Sequence, residues 1–446
     1  MRFVLDLLYL LAGAAYSPVI IYRAIRHKRY RTGWAQRFGR ISRRSPEKKC
    51  IWLHAVSMGE VNAAKTIVKE LQNRFGDLEI VISTTTDTGF ARATHLFSEK
   101  HQVFYCPFDF SWVIRRAFAN IRPTICLLME LEIWPNFIST ARKLSIPVIV
   151  VNGRISDRSF SGYRKIGPFA RRIFGKISLI LAQTEEYAQR FREIGAAAEN
   201  VIVTGSLKYD TAQITDKVDG ADALAAQLSI GKERLWVAGA TGPGEEKIVL
   251  DVFTHLTQPG RFEDLRLAIV PRKPERFDEV AQLITDSGLG FVRYSTIKNS
   301  EPRIRKPELR TQNSKLKTQN SKVPVILGDT MGDLRKFYCL ATVIFVGRSL
   351  VPMGGSDMME AAALGKCTLF GPHAFNFKHT VDALLAHHGA LMVKDADELL
   401  ETMQKCLREQ EFADRIARNG REVIRKNQGA TEKSIEQITK FLSKSE

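Results

Sequence analysis

The sequence predicts an α/β protein made of two doubly wound units, and three observations predict it. From Cys50 onward, short runs rich in Val, Ile and Leu alternate with segments of helical periodicity. Such runs are the mark of parallel strands buried on both faces and joined by helical crossovers. The alternation halts in a polar stretch, Lys208–Gln227, and then restarts. The length, 446 residues, also asks for more than one core, on a prior of about 150 residues per domain. A hydrophobic share of 44% and an aromatic share of 9% suit a folded chain and exclude a disordered one.

The first element precedes the alternation. Phe3–Tyr22, FVLDLLYLLAGAAYSPVIIY, is mostly apolar, and as a helix it would extend about 30 Å, one hydrocarbon core. Arg23–Lys49 follows with eleven Lys/Arg and one acid, Glu47. Heavy charge after the apolar run, rather than before it, argues against a cleaved signal peptide. It also assigns the body of the protein to the cytoplasmic side of the inner membrane. Residues 1–24 are therefore expected to be a membrane anchor. Asp6 and Pro18 interrupt the run, so a helix lying in the interface is a second reading, and a buried core helix a third. In residues 25–49, Tyr30, Trp34 and Phe38 recur every four positions, which predicts a basic amphipathic helix facing an anionic leaflet. The balance of 66 Lys+Arg against 48 Asp+Glu, a net +18, fits an anionic partner. The neighbouring apolar stretch favours a membrane surface over nucleic acid.

The first α/β unit spans residues 50–215. Its strands are read at CIWLHAVS, LEIVISTT, HQVFYCP, PTICLLME, IPVIVVNG, SLILAQT and VIVTGS. The second spans residues 216–446, with strands at RLWVAGAT, LRLAIVP, VPVILGD, TVIFVGRS, CTLFGP and ALMVKD. Ligands in such folds sit at strand C-termini, so a cleft between the units is the expected site. Residues 300–322 carry TQNSK twice, at Thr311–Lys315 and Thr318–Lys322, and read as a disordered insertion. The six cysteines form no CxxC pair, which suits a reducing compartment without disulfides or a zinc site.

Candidate chemistry lies at the strand ends. HAVSMGEV places Glu60 on a Gly59-containing turn before a helix. Glu60 either complements the helix dipole or serves as a general base, with the helix expected to lower its pKa. MELEIWPN puts Glu130 and Glu132 after an apolar strand, where alternation aims both to one side. They either bind hydroxyls or a cation, or cap the next helix. IVPRKPERF puts Arg272 after Pro271 at a strand end, a place for bidentate phosphate binding or for a surface ion pair with Glu275 or Glu279. GATGPGEE, Gly239–Glu246, reads as an anion-binding turn. GDTMGDL supplies Met331 and Gly332, and MGGSDMMEAAALGK supplies Gly354 and Gly355 ahead of Glu360. The glycine pair lets backbone approach a phosphate, and Glu360 could reach a ribose diol; ordinary turn and cap roles are the alternative. No metal-ligand signature is present, and no GxxxxGK[ST] loop.

HAVSMGEV, STTTDTG, MELEIWPN, NGRISDRSFSGY, TGSLKYD, PRKPERF, GDTMGDL, FVGRSLVPMGG and GPHAFNF occur in this order along the chain. In this the sequence resembles the 3-deoxy-D-manno-octulosonic acid (Kdo) transferases, and the likeness covers nearly the whole length. The resemblance implies a GT-B fold, two Rossmann-like domains with an N-terminal membrane anchor. It implies CMP-Kdo as donor, the distal glucosamine hydroxyl of a lipid A precursor as acceptor, inversion at the anomeric carbon, and neither cofactor nor metal. Glu60 would be the general base. Pro271, Arg272, Met331, Gly332, Gly354, Gly355, Asp357 and Glu360 would bind the donor nucleotide. Ser57, Gly59, Glu130, Glu132 and Lys208 would line the sugar and acceptor side. The sequence departs from the family pattern at Ser356 and Asp357, which replace His and Asn, at Ala240 and Gly242, and at Arg348, where Gly is common. An extra carboxylate at 357 would repel a phosphate unless turned away. Two alternatives stand beside this reading: another GT-B transferase using a UDP-sugar, and a basic peripheral membrane protein with a decayed site.

Overall fold

A computed structural model of the protein describes residues 2–26, 32–298 and 323–443; the TQNSK repeat and Tyr30 lie outside them. The chain forms two compact units. One runs to Thr211 and resumes at Asn427, and the other is Ala212–Lys426.

The first unit is built on seven strands: β1 (Cys50–His54), β2 (Glu79–Thr84), β3 (Gln102–Tyr105), β4 (Ile125–Met129), β5 (Val148–Gly153), β6 (Leu179–Ala182) and β7 (Val201–Val203). Their order is β3-β2-β1-β4-β5-β6-β7, and every pairing is parallel. Every residue of β1, β2, β4, β5 and β6 is buried. That is why these strands read as continuous apolar runs. On one face Trp52 packs its ring 4.9 Å from Phe137 and 5.3 Å from Phe118, and its indole N–H donates to Ser83 Oγ at 2.9 Å. On the other face Leu53, Val61 and Ile67 meet Ile435, Ile438 and Leu442 of the C-terminal helix Ala430–Ser443.

That helix corrects the expected domain boundary, which ran the second unit to 446. Its apolar stripe buries against the Met58–Arg74 helix of the first unit. Asp210 accepts the amide of Gly429 at 2.7 Å where the chain returns. A helical stripe predicts that a helix packs, but does not say against which core.

The second unit has β8 (Arg234–Thr241), β9 (Leu265–Pro271), β10 (Phe291–Arg293), β11 (Val325–Leu327), β12 (Val343–Val346), β13 (Cys367–Phe370) and β14 (Leu391–Met392). The order is β10-β11-β9-β8-β12-β13-β14, again parallel throughout. The polar stretch read as a linker is partly helical, at Leu207–Thr211 and Ala221–Gln227.

The N-terminus departs from expectation. Residues Arg2–Arg26 form one helix, Pro18 included, but no helix among the described residues is long and apolar enough to cross a membrane. Asp6 has partners on the first unit at the start of the run. Its carboxylate accepts from Ser111 N at 2.8 Å, Ser111 Oγ at 2.5 Å and Asn136 Nδ2 at 3.2 Å. It thus caps in trans the Ser111–Ile121 helix, whose own N-cap, Phe110, has no side-chain acceptor. Tyr9 donates to Asp109 at 3.1 Å. The helix is therefore docked on the first unit through polar groups, while Phe3, Leu7, Leu8, Leu10 and Leu11 stay exposed.

The basic segment is also not one amphipathic helix. Among its described residues Ile25 and Arg26 end the first helix and Trp34–Arg37 forms a short second one, bounded by Gly33 and Gly39 at φ 78° and 79°. Some of its charges serve the fold. Arg37 is buried, with its guanidinium 4.3 Å over the Tyr105 ring. Arg43 pairs with Glu79 at 2.7 Å and donates to the carbonyls of Ile121, Ser45 and Lys48.

Candidate active site

In each sheet the winding reverses between two neighbouring strands, β1 and β4 in the first unit and β8 and β12 in the second. Loops leaving such a pair at its C-terminal end diverge and leave a crevice for ligand. The candidate acids stand at the first of these points.

Glu60 lies in the first turn of the Met58–Arg74 helix, whose N-cap is Ser57. Ser57 Oγ accepts from Glu60 N at 3.3 Å and donates to Glu60 Oε1 at 2.8 Å, while Val56 N donates to Oε2 at 2.9 Å. This is a capping box whose carboxylate reaches back past the cap residue. The helix-cap role is therefore real, and a base role must coexist with it. Gly59 lies inside the helix rather than on a turn, and a Cβ there would meet only Ser57 Oγ, at 3.8 Å. The expected lowering of the Glu60 pKa is reversed: burial raises it, against the Val56 and Ser57 donors, and Glu130 adds to the rise.

Glu130 and Glu132 come together with Glu60, but not by strand alternation. β4 ends at Met129, and Glu130 adopts a left-handed φ of 53°. A tight turn follows, with Ile133 N donating to Leu131 O at 2.9 Å. Neither acid caps the next helix, Pro135–Lys143. Its free amides, Asn136 N and Phe137 N, donate to buried Asp109 at 2.9 and 2.7 Å. Asp109 thus takes the capping role that the sequence offered to Glu130 and Glu132. Glu130 has Arg154 Nε at 3.9 Å. Glu132 accepts from Trp134 Nε1 at 3.1 Å and has His54 Nε2 at 3.9 Å. Burial first, then Glu60 and Glu130, pushes the Glu132 carboxyl up to about 7. Lys208 is half-buried on the Leu207–Thr211 helix and is not a partner of these acids.

The second unit brings Arg272, Arg335, Tyr338, Asp357 and Glu360 within electrostatic reach of one another. Arg272 is exposed after β9, behind buried Pro271, and its amide donates to Thr241 O at 3.1 Å. Burial first, then Asp357, raises the Glu360 pKa, with Arg335 and Arg272 opposing. Met331 and Gly332 form an exposed turn, with Gly332 at φ 89°. Asp357 is exposed and accepts from Met359 N at 2.9 Å, so its charge faces a helix start. Ser356 is buried and donates to Ala240 O at 3.2 Å.

Gly354 and Gly355 lie against another segment of the same unit. A Cβ on Gly354 would fall 2.1 Å from Asn376 Nδ2, and one on Gly355 3.0 Å from Ala374 Cα. They are glycines because the Ala374–Asn376 segment packs on them. The GATGPGEE turn does bind an anion, but its own: buried Glu245 accepts from the amides of Gly242, Ser349 and Leu350 at 2.9, 2.7 and 2.9 Å, and from that of Arg348. Arg348 sits at φ 61°, which explains a preference for Gly there, and its guanidinium donates to Met353 O at 3.2 Å within its own loop.

Sequence reasoning passed over His54, Arg154, Asp109, Glu245, Arg335 and Tyr338. His54, Arg154 and Glu245 lie inside quoted motifs, HAVSMGEV, NGRISDRSFSGY and GATGPGEE, and could have been found there. Among the described residues no group of three or more His, Cys, Asp or Glu could hold a metal ion.

Residues 32–211 match a family described as 3-deoxy-D-manno-octulosonic-acid transferase (kdotransferase). Over 426 residues the chain is 32% identical to a 3-deoxy-D-manno-octulosonic acid transferase of Haemophilus influenzae, covering 94% of each. Over 425 residues it is 32% identical to the enzyme of that name from Bordetella pertussis, covering 91% of each. Among solved structures it is similar in fold to a glycosyltransferase from Rickettsia africae, at TM-score 0.55 and 12% identity over 89% of this chain and 99% of that one. It is likewise similar to a UDP-GlcNAc 2-epimerase from Neisseria meningitidis, at TM-score 0.54 and 14% identity over 88% and 100%.

Proposed function

The chain belongs to the 3-deoxy-D-manno-octulosonic acid transferase family, and from that premise we propose that it moves Kdo from CMP-Kdo to the distal glucosamine hydroxyl of a lipid A precursor, with inversion and with Glu60 as general base. The observation that carries this reading is the convergence of Glu60, Glu130 and Glu132 at the β1/β4 strand ends. Glu60 accepts the acceptor hydroxyl's proton as its oxygen attacks the anomeric carbon. Two donors hold the Glu60 carboxylate in place, so little reorganisation precedes transfer. The leaving cytidine monophosphate takes up negative charge, which Arg272 and Arg335 offset. Glu360 is the acceptor for the ribose diol. The exposed apolar side chains of the Arg2–Arg26 helix, with Trp34, Phe38 and Trp112, lie in the interface of an anionic membrane rather than across it. In this reading the body works on the cytoplasmic side of the inner membrane.

The test is mass spectrometry of a lipid A precursor incubated with CMP-Kdo and the protein. A mass gain of one or more Kdo units is expected. An unchanged precursor, or calorimetric preference for UMP over CMP, refutes the reading.

A further inference from the structure

A groove of about 630 Å³ lies in the first unit between the Ser111–Ile121 and Pro135–Lys143 helices, within the ~300–1,000 Å³ of small-molecule sites. Its apolar side chains include Phe118, Ala119, Leu144 and Ile146. Its cations are Arg115, Arg122 and Lys143, and no acid lines it. Arg122 and Pro123 stand just before β4, and Leu144 and Ile146 just before β5. The groove is therefore at the N-terminal end of β4, whose C-terminal end leads into Glu130 and Glu132. β4 has five residues, so the two ends are about 17 Å apart.

The three cations are not neutralised. Arg115 and Arg122 donate to carbonyl oxygens, of Ser111 at 3.1 Å and of Pro46 at 3.3 Å. Among the described residues none of the three pairs with a carboxylate. Both helices end beside the groove, and each C-terminus carries about half a negative charge. Three positive charges exceed that sum of about one, so the groove attracts an anion on balance. Arg122 ends its helix at a left-handed φ of 46°, where glycine is the usual residue. A cation is held there against about 1–2 kcal/mol of backbone strain.

The floor selects what the anion is attached to. Phe118 is only 2% exposed, so it offers no ring face on which a nucleotide base could stack. Leu144, 53% exposed, and Ala119 lie open to water, which suits an aliphatic chain. Residues 27–31 and 299–322 of the same chain are basic and would be repelled. Trp112, Arg115, Ala119 and Arg122 share one helix face by their spacing of three and four. Trp112 in turn stacks on Phe38 at 5.9 Å and on Phe110, whose ring meets Tyr9 of the N-terminal helix at 6.0 Å. The groove thus continues the surface that carries that helix's exposed apolar side chains. We propose that it binds one anionic phospholipid, with the phosphate between Arg122 and Lys143 and an acyl chain along Ala119 and Leu144. The sugar acceptor is not this occupant, because its hydroxyl has to reach Glu60 at the other end of the sheet. The site goes beyond the Kdo-transfer reading and rests only on the membrane placement given with it.

The test is calorimetry on the full chain with dihexanoyl phosphatidylglycerol kept below its micelle concentration, so that no bilayer surface takes part. Saturable binding of one lipid per chain is expected, at least about tenfold tighter than that of dihexanoyl phosphatidylcholine, whose head group has no net charge. Glycerol phosphate, a head group without chains, should bind at least about a hundredfold more weakly. Equal affinity for the two lipids, or for glycerol phosphate, overturns the proposal. Ala119→Trp fills the groove from an exposed position, and a circular dichroism melt checks that the fold holds; lipid binding should be lost. Arg122→Gln combined with Lys143→Gln should weaken phosphatidylglycerol binding by about tenfold or more and remove its preference over phosphatidylcholine. Binding unmoved in either variant puts the lipid elsewhere and overturns the site. No step reads Kdo transfer, so its absence would refute the functional reading and leave the lipid site standing.

Discussion

Glu60→Gln separates two roles that one carboxylate fills. The carboxylate closes the capping box by accepting from Val56 N and Ser57 Oγ. Glutamine can keep most of that. Its carbonyl oxygen accepts from the Val56 amide, which has no choice of role. Its NH2 donates to Ser57 Oγ, whose hydroxyl rotates to accept. The variant thus loses charge assistance, about 1 kcal/mol of stability, and the melting temperature should move by only a few degrees. Proton acceptance is lost altogether. General-base catalysis contributes about 10²–10⁴ in rate, so kcat should fall by about that factor, some 3–5 kcal/mol of barrier. Cytidine monophosphate release, followed chromatographically, measures the rate, and circular dichroism measures the melt. Activity above about a tenth of the original refutes the base assignment. Activity and fold lost together would show that the cap is what matters. Burial raises the Glu60 pKa above 4.5, and only the ionised form accepts a proton. The acid limb of the pH–rate profile should therefore lie above 4.5 and vanish in the variant.

Other perturbations follow from the same geometry. Glu245→Ala leaves the amides of Gly242, Arg348, Ser349 and Leu350 without their acceptor; at about 1–3 kcal/mol per buried group, urea unfolding of the second unit should shift by more than about 3 kcal/mol. Arg348→Gly relieves a left-handed residue, about 1–2 kcal/mol, and gives up the bond to Met353 O, about 0.5–1.5 kcal/mol. The melt should change little and CMP affinity should hold in calorimetry; a loss of CMP affinity would show that the guanidinium meets the nucleotide. Asp6→Ala removes the trans cap of the Ser111–Ile121 helix, about 1 kcal/mol. Hydrogen exchange should rise over Arg2–Arg26, and unchanged exchange would mean that the helix docks by its apolar contacts alone.

The sheets were legible because burial on both faces writes itself as unbroken apolar runs. The strand missed was β10, Phe291–Arg293, an edge strand with no buried residue. Charge was the poorer guide. Arg37 and Arg43 look like membrane-facing cations in the sequence, yet one lies over Tyr105 and the other ties four parts of the chain together. Composition gives the number of charges but not their partners. The glycines pose a similar question. A Gly-Gly pair marks close approach by something, and at Gly354 that something is Asn376 of the same chain.

The acid cluster was half legible, and the missing half has a physical cause. Glu130 and Glu132 are two apart, and strand periodicity would aim them together, but the strand has already ended. Glu130 instead takes a left-handed φ, as do Asn152 at the end of β5, Ala240 in β8 and Arg348 after β12. Each is a non-glycine residue in a conformation that costs about 1–2 kcal/mol. The positions lie at the C-terminal ends of β4, β5, β8 and β12, where loops must turn sharply for a crevice to open. At 348 a glycine would take the same conformation without strain. At 130 it would too, but it would remove the carboxylate that the same turn brings towards Glu60 and Arg154. Strain retained at a position where glycine would relieve it points to the side chain as what the position requires. Glu130 and Arg348 both meet that criterion and part on their contacts: the Arg348 guanidinium donates to Met353 O within its own loop, whereas the Glu130 carboxylate faces Arg154 and Glu60, the place where the proposed function needs it.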